Sequence, residues 1–168
     1  MNLLTNYGRI ISTIAYISGE NIMFHTAAFF GHRDVFENID NDIYYTVSML
    51  VEKGVKTFLV GEQGEFDRKC SSAVQKIKKN HSDVKLILVC PYFSNKINFD
   101  SQYYKEMFDD IIIPDEIADV HYKAAIGARN RWMIDHSDYI VSYIRRNYGG
   151  AYTALKYAEK KSKLIIHI

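Results

Sequence analysis

From residue 26 onwards, short apolar segments alternate with longer segments of helical periodicity, and this alternation constrains the fold more than any other feature. The pattern predicts strands at 26–30, 56–60, 84–89, 110–113, 139–141 and 164–166. It predicts helices at 40–53, 66–80, 103–108, 118–136 and 150–160, the first of which stops at Gly54. Strands that alternate with helices form βαβ units, and right-handed crossovers place such strands in one parallel sheet.

The apolar character of the strands indicates that helices cover both faces of the sheet. We therefore predict an α/β fold, a Rossmann-like three-layer sandwich with a mostly parallel central sheet and helices on both faces. The length of 168 residues suits a single domain, which we place at residues 23–168. No run of 18 apolar residues occurs and the N-terminal segment lacks a signal-peptide pattern, so we expect a cytoplasmic protein with no membrane contact.

Residues 1–22 fit poorly with the pattern that follows. Gly19-Glu20 back-translates to GGA-GAA, a bacterial ribosome-binding sequence, and it lies at a suitable distance before the codon of Met23. We hypothesise that Met23 is the natural start and that residues 1–22 are a translated leader. The alternative is a helix or strand added at the edge of the domain, and the sequence leaves both open.

The charges and the cysteines exclude several classes of site. The 21 basic and 20 acidic residues leave a net charge of +1, so we do not expect nucleic acid as a partner. Cys70 and Cys90 are the only cysteines and lack CxxC spacing. We therefore expect two reduced thiols, no metal site and no cofactor.

Ligands of parallel sheets bind beyond the carboxyl ends of the strands, so the residues that follow each strand are the candidate site. After the first predicted strand, Gly31 allows a ligand to approach the backbone closely, and His32 and Arg33 are suited to binding phosphate. The alternative at this position is a tight turn with a solvated histidine and arginine.

After the second predicted strand, Gly61 and Gly64 permit a compact turn whose N–H groups point at an anion near a helix N-terminus. Asp67 is interpreted mainly as a cap of that helix, although it is included among the candidate ligand-binding residues. Glu65 has two interpretations, a cap or a group that binds ribose hydroxyls and acts as a base beside the sugar. Glu65 is therefore the candidate catalytic residue.

Two further segments complete the candidate ligand-binding residues. Arg129 and Arg131 lie in one predicted helix, where a guanidinium is suited to phosphate and where Arg131 has an acidic residue one turn on as an alternative partner. Gly149 and Gly150 precede the last predicted helix, and Thr153 lies in its first turn. Paired glycines and a threonine between a strand and a helix are typical of a phosphate-binding loop.

The order and spacing of these segments resemble the SLOG superfamily, named for its Smf/DprA and Lonely Guy members. The resemblance runs from about residue 26 to residue 166 and is strongest with the small bacterial and phage SLOG family proteins. The matching motifs are Gly31 to Arg33, Gly61 to Asp67, Arg129, Ser137-Asp138 and Gly149-Gly150. The resemblance implies a Rossmann-like fold, a nucleotide or nucleotide-derived ligand, and a homo-oligomer.

Lonely Guy enzymes are phosphoribohydrolases, and their motif is similar to GGxGTxxE. Gly149, Gly150 and Thr153 match this motif, whereas Tyr152 replaces its third glycine and Lys156 replaces its glutamate. Because that glutamate would stabilise the departing glycosyl centre, the resemblance favours ligand binding over this hydrolysis.

We therefore expect a protein that binds an ADP-ribose-like or cyclic nucleotide signal, as a sensor or sequestering protein in phage–bacterium defence signalling. The alternative is a nucleotide-processing hydrolase of the phosphoribohydrolase or N-glycosidase type, with Glu65 or Asp67 as its acid–base group. A second alternative is single-stranded DNA binding of the DNA-processing type, for which Arg145 and Arg146 beside Tyr148 are the candidate contacts.

Overall fold

The computed structural model describes residues 25–93 and 101–168. Within these ranges the strands are β1 (Thr26–Gly31), β2 (Thr57–Val60), β3 (Lys85–Val89), β4 (Asp110–Ile112), β5 (Tyr139–Tyr143) and β6 (Leu164–His167). The α-helices there are α1 (Asp40–Glu52), α2 (Glu65–Lys78), α3 (Ser101–Met107), α4 (Tyr122–Asp135) and α5 (Gly150–Lys160). The hypothesised leader, residues 1–22, lies outside the described residues and stays a prediction.

The strands form one parallel sheet in the order β4-β3-β2-β1-β5-β6. β1 pairs with β2, where Thr26 lies opposite Thr57, and with β5, where Gly31 lies opposite Tyr143. The chain therefore moves outwards from β1 to β4 and then returns to the other side of β1 for β5 and β6. Such a reversal of strand order opens a crevice at the carboxyl ends of the two central strands.

The two faces of the sheet carry different helices. Ala27 and Phe29 of β1 pack in one core with side chains of α1 and α2, whereas Ala28 and Phe30 pack in a second core with α4 and α5. One apolar strand serves both cores because successive side chains of a strand point to opposite faces. The predicted Rossmann-like three-layer sandwich is confirmed, and its sheet is wholly parallel over the described residues.

Gly54 ends α1 as the sequence predicts. Its φ is 96°, a left-handed conformation that glycine adopts without steric cost. The N–H groups of Gly54 and Val55 donate to the carbonyls of Val51 and Leu50 at 2.9 Å each. These bonds satisfy carbonyls that the last turn of a helix otherwise leaves free, so the chain leaves α1 in a defined direction towards β2.

The main departure from the predicted elements precedes α4. The periodicity predicts a helix from residue 118, but Asp115–Ile117 form a single 3-10 turn and α4 begins only at Tyr122. His121 caps α4, because its Nδ1 accepts the N–H of Lys123 at 3.3 Å. In the described ranges, every helix is too short or too polar to cross a membrane.

Candidate functional site

A cleft of about 240 Å³ opens at the carboxyl end of β1, beside the point where the strand order reverses. Its walls are the loops after β1 and β2, one face of α4 and the start of α5. The candidate residues that line it are Gly31, His32, Arg33, Gly61, Asp67, Arg129 and Gly150. The fold thus brings parts of all four candidate segments to one place, although residues up to 119 positions apart must meet there.

Arg129 of α4 is the buried cation of the cleft, with only 2% of its surface exposed. Its Nη1 donates to the carbonyl oxygens of Gly61 at 2.9 Å and Val89 at 2.8 Å, just after β2 and at the end of β3. Its Nε donates to Oδ1 of Asn130 at 2.9 Å. Burial lowers the pKa of Arg129, and the nearby charge of Asp67 opposes that shift. The Nη2 group has no hydrogen-bond partner among the described residues, so within them this cation retains unused N–H donors.

Gly61 is required by this arginine. A Cβ at Gly61 would lie 2.1 Å from Nη1 and 2.5 Å from Cζ of Arg129, far inside contact distance. The sequence predicts that a glycine here permits a compact turn towards an anion. The structure shows that the absence of a side chain at Gly61 leaves space for the guanidinium of Arg129. Arg129 itself lines the cleft.

Asp67 lies at the cleft in the first turn of α2 and is buried. Its Oδ2 accepts the N–H of Gln63 at 2.6 Å, which fixes the turn after β2. Because Gln63 precedes Gly64, the N-cap of α2, this bond does not satisfy an N–H of the helix itself. Burial raises the pKa of Asp67 to about 6, although the Gln63 N–H and the charge of Arg129 both act to lower it. A carboxyl group that titrates near neutral pH in a cleft can accept or donate a proton there.

Gly31 and Gly64 let α2 begin close to the loop after β1. A Cβ at Gly31 would lie 2.2 Å from the ring of Phe66, and one at Gly64 would lie 2.4 Å from the Cα of Arg33. The N–H of Glu65 donates to the carbonyl of Arg33 at 2.7 Å. Close backbone approach at these positions therefore joins the first two loops of the site to each other.

Glu65, the candidate catalytic residue, lies on a different surface. Its Oε2 accepts the N–H of Val35 at 3.2 Å, and its side chain lines a separate groove of about 480 Å³ between α1 and α2. The structure therefore separates the two acidic residues of this loop. Asp67 lies at the cleft, whereas Glu65 anchors the loop after β1.

His32 joins the first and last loops of the site. Its Nε2 accepts the backbone N–H groups of Arg145 at 2.8 Å and Arg146 at 3.1 Å. A nitrogen that accepts two N–H groups carries no proton, so the ring is neutral and its proton resides on Nδ1. Burial is the largest cause that lowers the pKa of His32, and the charges of Arg146 and Arg145 lower it further.

The start of α5 presents backbone N–H groups. Gly149 has a φ of 91°, and a Cβ at Gly150 would meet open space. The N–H groups of Gly150, Ala151 and Tyr152 have no acceptor in the described part of the chain, and the first two residues line the cleft. Free N–H groups at the positive end of a helix dipole are suited to binding an anion. Thr153 is exposed, does not line the cleft, and donates its hydroxyl to the Gly149 carbonyl at 3.0 Å.

The candidate arginines differ in their surroundings. Arg33 lines the cleft with an exposed side chain and forms no ion pair among the described residues. Arg131 is exposed and does not line the cleft. Its Nη1 lies 3.6 Å from the point that a Cβ on residue 127 would occupy, above Gly127 of the same helix. It is also not paired with Asp135, which instead binds Lys161 at 3.2 Å. The two arginines of α4 therefore differ in their surroundings: Arg129 is buried and lines the cleft, whereas Arg131 is exposed outside it.

The candidate DNA contacts also differ from each other. Arg145 binds Glu37 through Nη2 at 2.7 Å, and its guanidinium lies 4.6 Å from the ring centre of Tyr143. Arg146 lies 5.6 Å from the ring centre of Tyr148, whose side chain is exposed. Arg146 therefore has no ion-pair partner among the described residues, unlike Arg145, and it lies beside an exposed ring.

Lys156, which stands where Lonely Guy enzymes have glutamate, pairs with Glu159 at 2.7 Å and does not line the cleft. Seven lining residues are not among the candidate ligand-binding residues of the sequence: Phe29, Phe30, Gln63, Ile126, Asn130, Met133 and Ala151. Asn130 follows Arg129 directly and Gln63 lies between two candidate glycines, so both had a signal in the sequence. Among residues 25–93 and 101–168, no cluster of three His, Cys, Asp or Glu side chains is arranged to hold a metal ion.

Solved structures share this fold. DNA processing protein A (DprA) from Streptococcus pneumoniae superposes with a TM-score of 0.62 at 17% sequence identity, over 88% of this chain and 52% of that chain. DprA from Helicobacter pylori, whose structure was described for its single-stranded DNA binding mode, gives a TM-score of 0.61 at 17% identity, over 86% of this chain and 65% of that chain. The chain thus spans about half and about two thirds of these two proteins, and the likeness is one of fold.

No curated protein matches the chain in sequence. A family model, described as the YspA SLOG family, matches residues 24–165. This range includes the described strands from β1 to β5 and every candidate residue of the cleft. The match agrees with the motif order in the sequence and with the parallel sheet of the structure. The chain therefore belongs to the YspA SLOG family.

Proposed function

We propose that the cleft binds a nucleotide or nucleotide-derived ligand, of the ADP-ribose-like or cyclic nucleotide class, and that the protein is a sensor or sequestering protein for it. Membership of a SLOG family supports a nucleotide- or DNA-related role. The observation that carries the proposal is Arg129, a buried cation with unused donors beside an open cleft. An anion bound at Nη2 would complete the contacts of a guanidinium whose Nη1 and Nε already donate to the protein.

Three sources of positive charge converge on the same space. Arg129 forms the floor, Arg33 lies at an exposed edge, and the N–H groups of Gly150 and Ala151 point from the positive end of α5. Phosphate oxygens accept hydrogen bonds from all three kinds of donor. A helix N-terminus alone is a weak indication, whereas its combination with a buried, partly unpaired arginine indicates a site for a phosphate group.

The cleft suits one end of a nucleotide. Its volume of about 240 Å³ is below the roughly 300–1,000 Å³ of pockets that enclose a whole ligand. We therefore place the phosphate and ribose in the cleft and the base at its opening, near Ile126, which is partly exposed. Asp67, and not Glu65, is the carboxyl group in position to accept a ribose hydroxyl.

The test is to incubate the pure protein with ADP-ribose, cyclic nucleotides and linear nucleotides, to measure Tm, and to analyse the ligand by chromatography after denaturation. A binder raises Tm and releases intact ligand. Arg33→Gln should weaken binding, whereas Arg131→Gln is the matched control because that arginine does not line the cleft. If no nucleotide raises Tm, the proposal is wrong.

Hydrolysis of an N-glycosidic bond is the second candidate. It is favoured by Asp67, whose pKa of about 6 in the cleft allows acid–base chemistry near neutral pH. In the same incubation, a hydrolase releases free base. Asp67→Asn should then stop base release while the ligand still raises Tm, and base release by the variant at the wild-type rate would exclude Asp67.

Single-stranded DNA binding is the third candidate. The net charge of +1 argues against nucleic acid, but two proteins of the same fold are DNA processing proteins, so that expectation loses force. The observation that favours it is Arg146 beside the exposed ring of Tyr148, a pair that can bind a phosphate and stack on a base. A gel-shift assay at low and at physiological salt decides: a shift that Tyr148→Ala abolishes supports this function, and no shift removes it.

A further inference from the structure

We infer that His32 is the positioning residue of the phosphate-binding loop, and that only its neutral form holds the loop between β5 and α5 in the binding conformation. The loop runs from residue 144 to Gly149 and leads directly into the free N–H groups at the start of α5. The inference rests on the proposed function, since it concerns the same cleft.

The geometry of the ring carries the argument. Nε2 of His32 accepts two consecutive backbone N–H groups, from Arg145 at 2.8 Å and Arg146 at 3.1 Å. The two residues lie 113 and 114 positions from His32, so the ring ties the loop after β1 to the loop after β5. The N–H of His32 also donates to the carbonyl of Tyr143 at 3.3 Å, which fixes the backbone beneath the ring.

Protonation would reverse the role of Nε2. A proton on Nε2 would face two N–H donors at hydrogen-bond distance, and no lone pair would remain to accept them. The N–H groups of Arg145 and Arg146 would then lose their acceptor, and the backbone that leads to Gly149 would lose its attachment to β1. The side chain of Arg145 would still bind Glu37, so the loop would be released at its backbone and not detached entirely.

The charges around the ring favour the neutral form. The titratable and charged groups near it are Arg145 and Arg146 in the β5–α5 loop, Tyr143 in β5, Arg33 and Glu37 in its own loop, and Asp67 and Arg129 across the cleft. Burial and the two loop arginines lower the pKa of His32 from 6.5. The attachment is therefore complete above about pH 6.5 and is lost as the pH falls through the lowered pKa of the folded state.

The variant His32→Gln separates positioning from titration. A glutamine carboxamide oxygen can accept both N–H groups but does not titrate, so it keeps the attachment at every pH if the chain end reaches the same place. His32→Ala removes the acceptor at every pH. The readout is the amide hydrogen-exchange protection of Arg145 and Arg146 in the free protein between pH 4 and pH 8, corrected for intrinsic exchange.

In the wild type, protection at these two amides should fall by about tenfold or more as the pH decreases, as expected for loss of one or two hydrogen bonds. The β5 amide of Val141, paired in the sheet, should not change and serves as the reference. His32→Ala should show low protection throughout. Protection that is independent of pH in the wild type, or that varies equally in His32→Ala, would overturn the inference.

The second readout is binding of ADP-ribose, whose pyrophosphate keeps its charge over this range, unlike a terminal phosphate with a pKa near 6. Because Asp67 in the same cleft has a pKa of about 6, this comparison is made in the Asp67→Asn background. There, affinity should fall at low pH when His32 is present and stay constant in His32→Gln. Tighter binding at low pH by the Asp67→Asn protein that retains His32 would mean that His32 acts as a cationic contact and would overturn the positioning role. If ADP-ribose and other nucleotides bind at no pH, the proposed function fails, while the exchange data on the free protein still decide the role of His32.

Discussion

Replacing Arg129 with methionine would remove the buried cation while keeping a long, unbranched side chain. The carbonyl oxygen of Val89, which accepts from Nη1 at 2.8 Å, would lose this donor in a buried position, whereas the Gly61 carbonyl would lose Nη1 but keep the Nε2 donor of Gln63 at 3.2 Å. Each buried acceptor left without a partner costs about 1–3 kcal/mol. Relief from burying the charge offsets part of this cost. We therefore expect the free energy of unfolding to fall by about 1–3 kcal/mol.

Urea denaturation followed by the fluorescence of Trp132, the single tryptophan, measures this change. Trp132 lies on α4 directly after Arg131 and three residues after Arg129, so it reports on the helix that carries the substitution. Arg131→Met is the matched control, because the same change at an exposed position of α4 should stay within about 0.5 kcal/mol. A loss below about 0.5 kcal/mol in Arg129→Met, or an equal loss in both variants, would refute the assigned role of Arg129.

The other predictions concern residues that contact Arg129 or begin α5. Gly61→Ala should destabilise by about 1–3 kcal/mol in urea denaturation, because its Cβ would lie 2.1 Å from Nη1 of Arg129; wild-type stability would contradict the close approach. For Asp67, the folded-state pKa of about 6 exceeds the ordinary 3.8, so the wild type loses up to about 3 kcal/mol of stability as the pH rises from 3.8 through 6. Asp67→Asn should lack this decline in stability. Parallel stability–pH curves for the wild type and Asp67→Asn would exclude a raised pKa of Asp67. Gly149→Ala should lose about 1–2 kcal/mol because its φ is 91°, whereas Gly150→Ala should keep its Tm and bind ADP-ribose roughly tenfold more weakly, since its Cβ enters the open cleft. The opposite order of these two effects would contradict the assigned roles of the glycines.

Local sequence accounts for most of the elements. The apolar runs and the helical periodicity predict all six described strands and five described helices. Each of these patterns depends only on side chains that are close to one another in the sequence. The start of α4 is the exception. Residues 118–121 fit the helical periodicity, but the 3-10 turn at Asp115–Ile117 and the cap at His121 delay the helix to Tyr122.

The candidate site is less accessible to such reasoning. The sequence indicates which loops meet, because the carboxyl ends of parallel strands share one edge of the sheet. It does not distinguish Arg129 from Arg131, or Glu65 from Asp67. Residues two positions apart on a helix face different directions, and only the packing of that helix on the sheet decides which of them reaches the cleft.

The sequence by itself determined the α/β class, the parallel sheet and the three glycine-bearing loops that meet at the cleft, since these follow from periodicity and from glycines after strands. Tertiary structure decided what each segment does. The glycine at position 61 accommodates Arg129 from 68 residues away, and the ring of His32 holds backbone 113 residues away. Such contacts depend on where the sheet brings distant chain segments together, so no local sequence pattern predicts them.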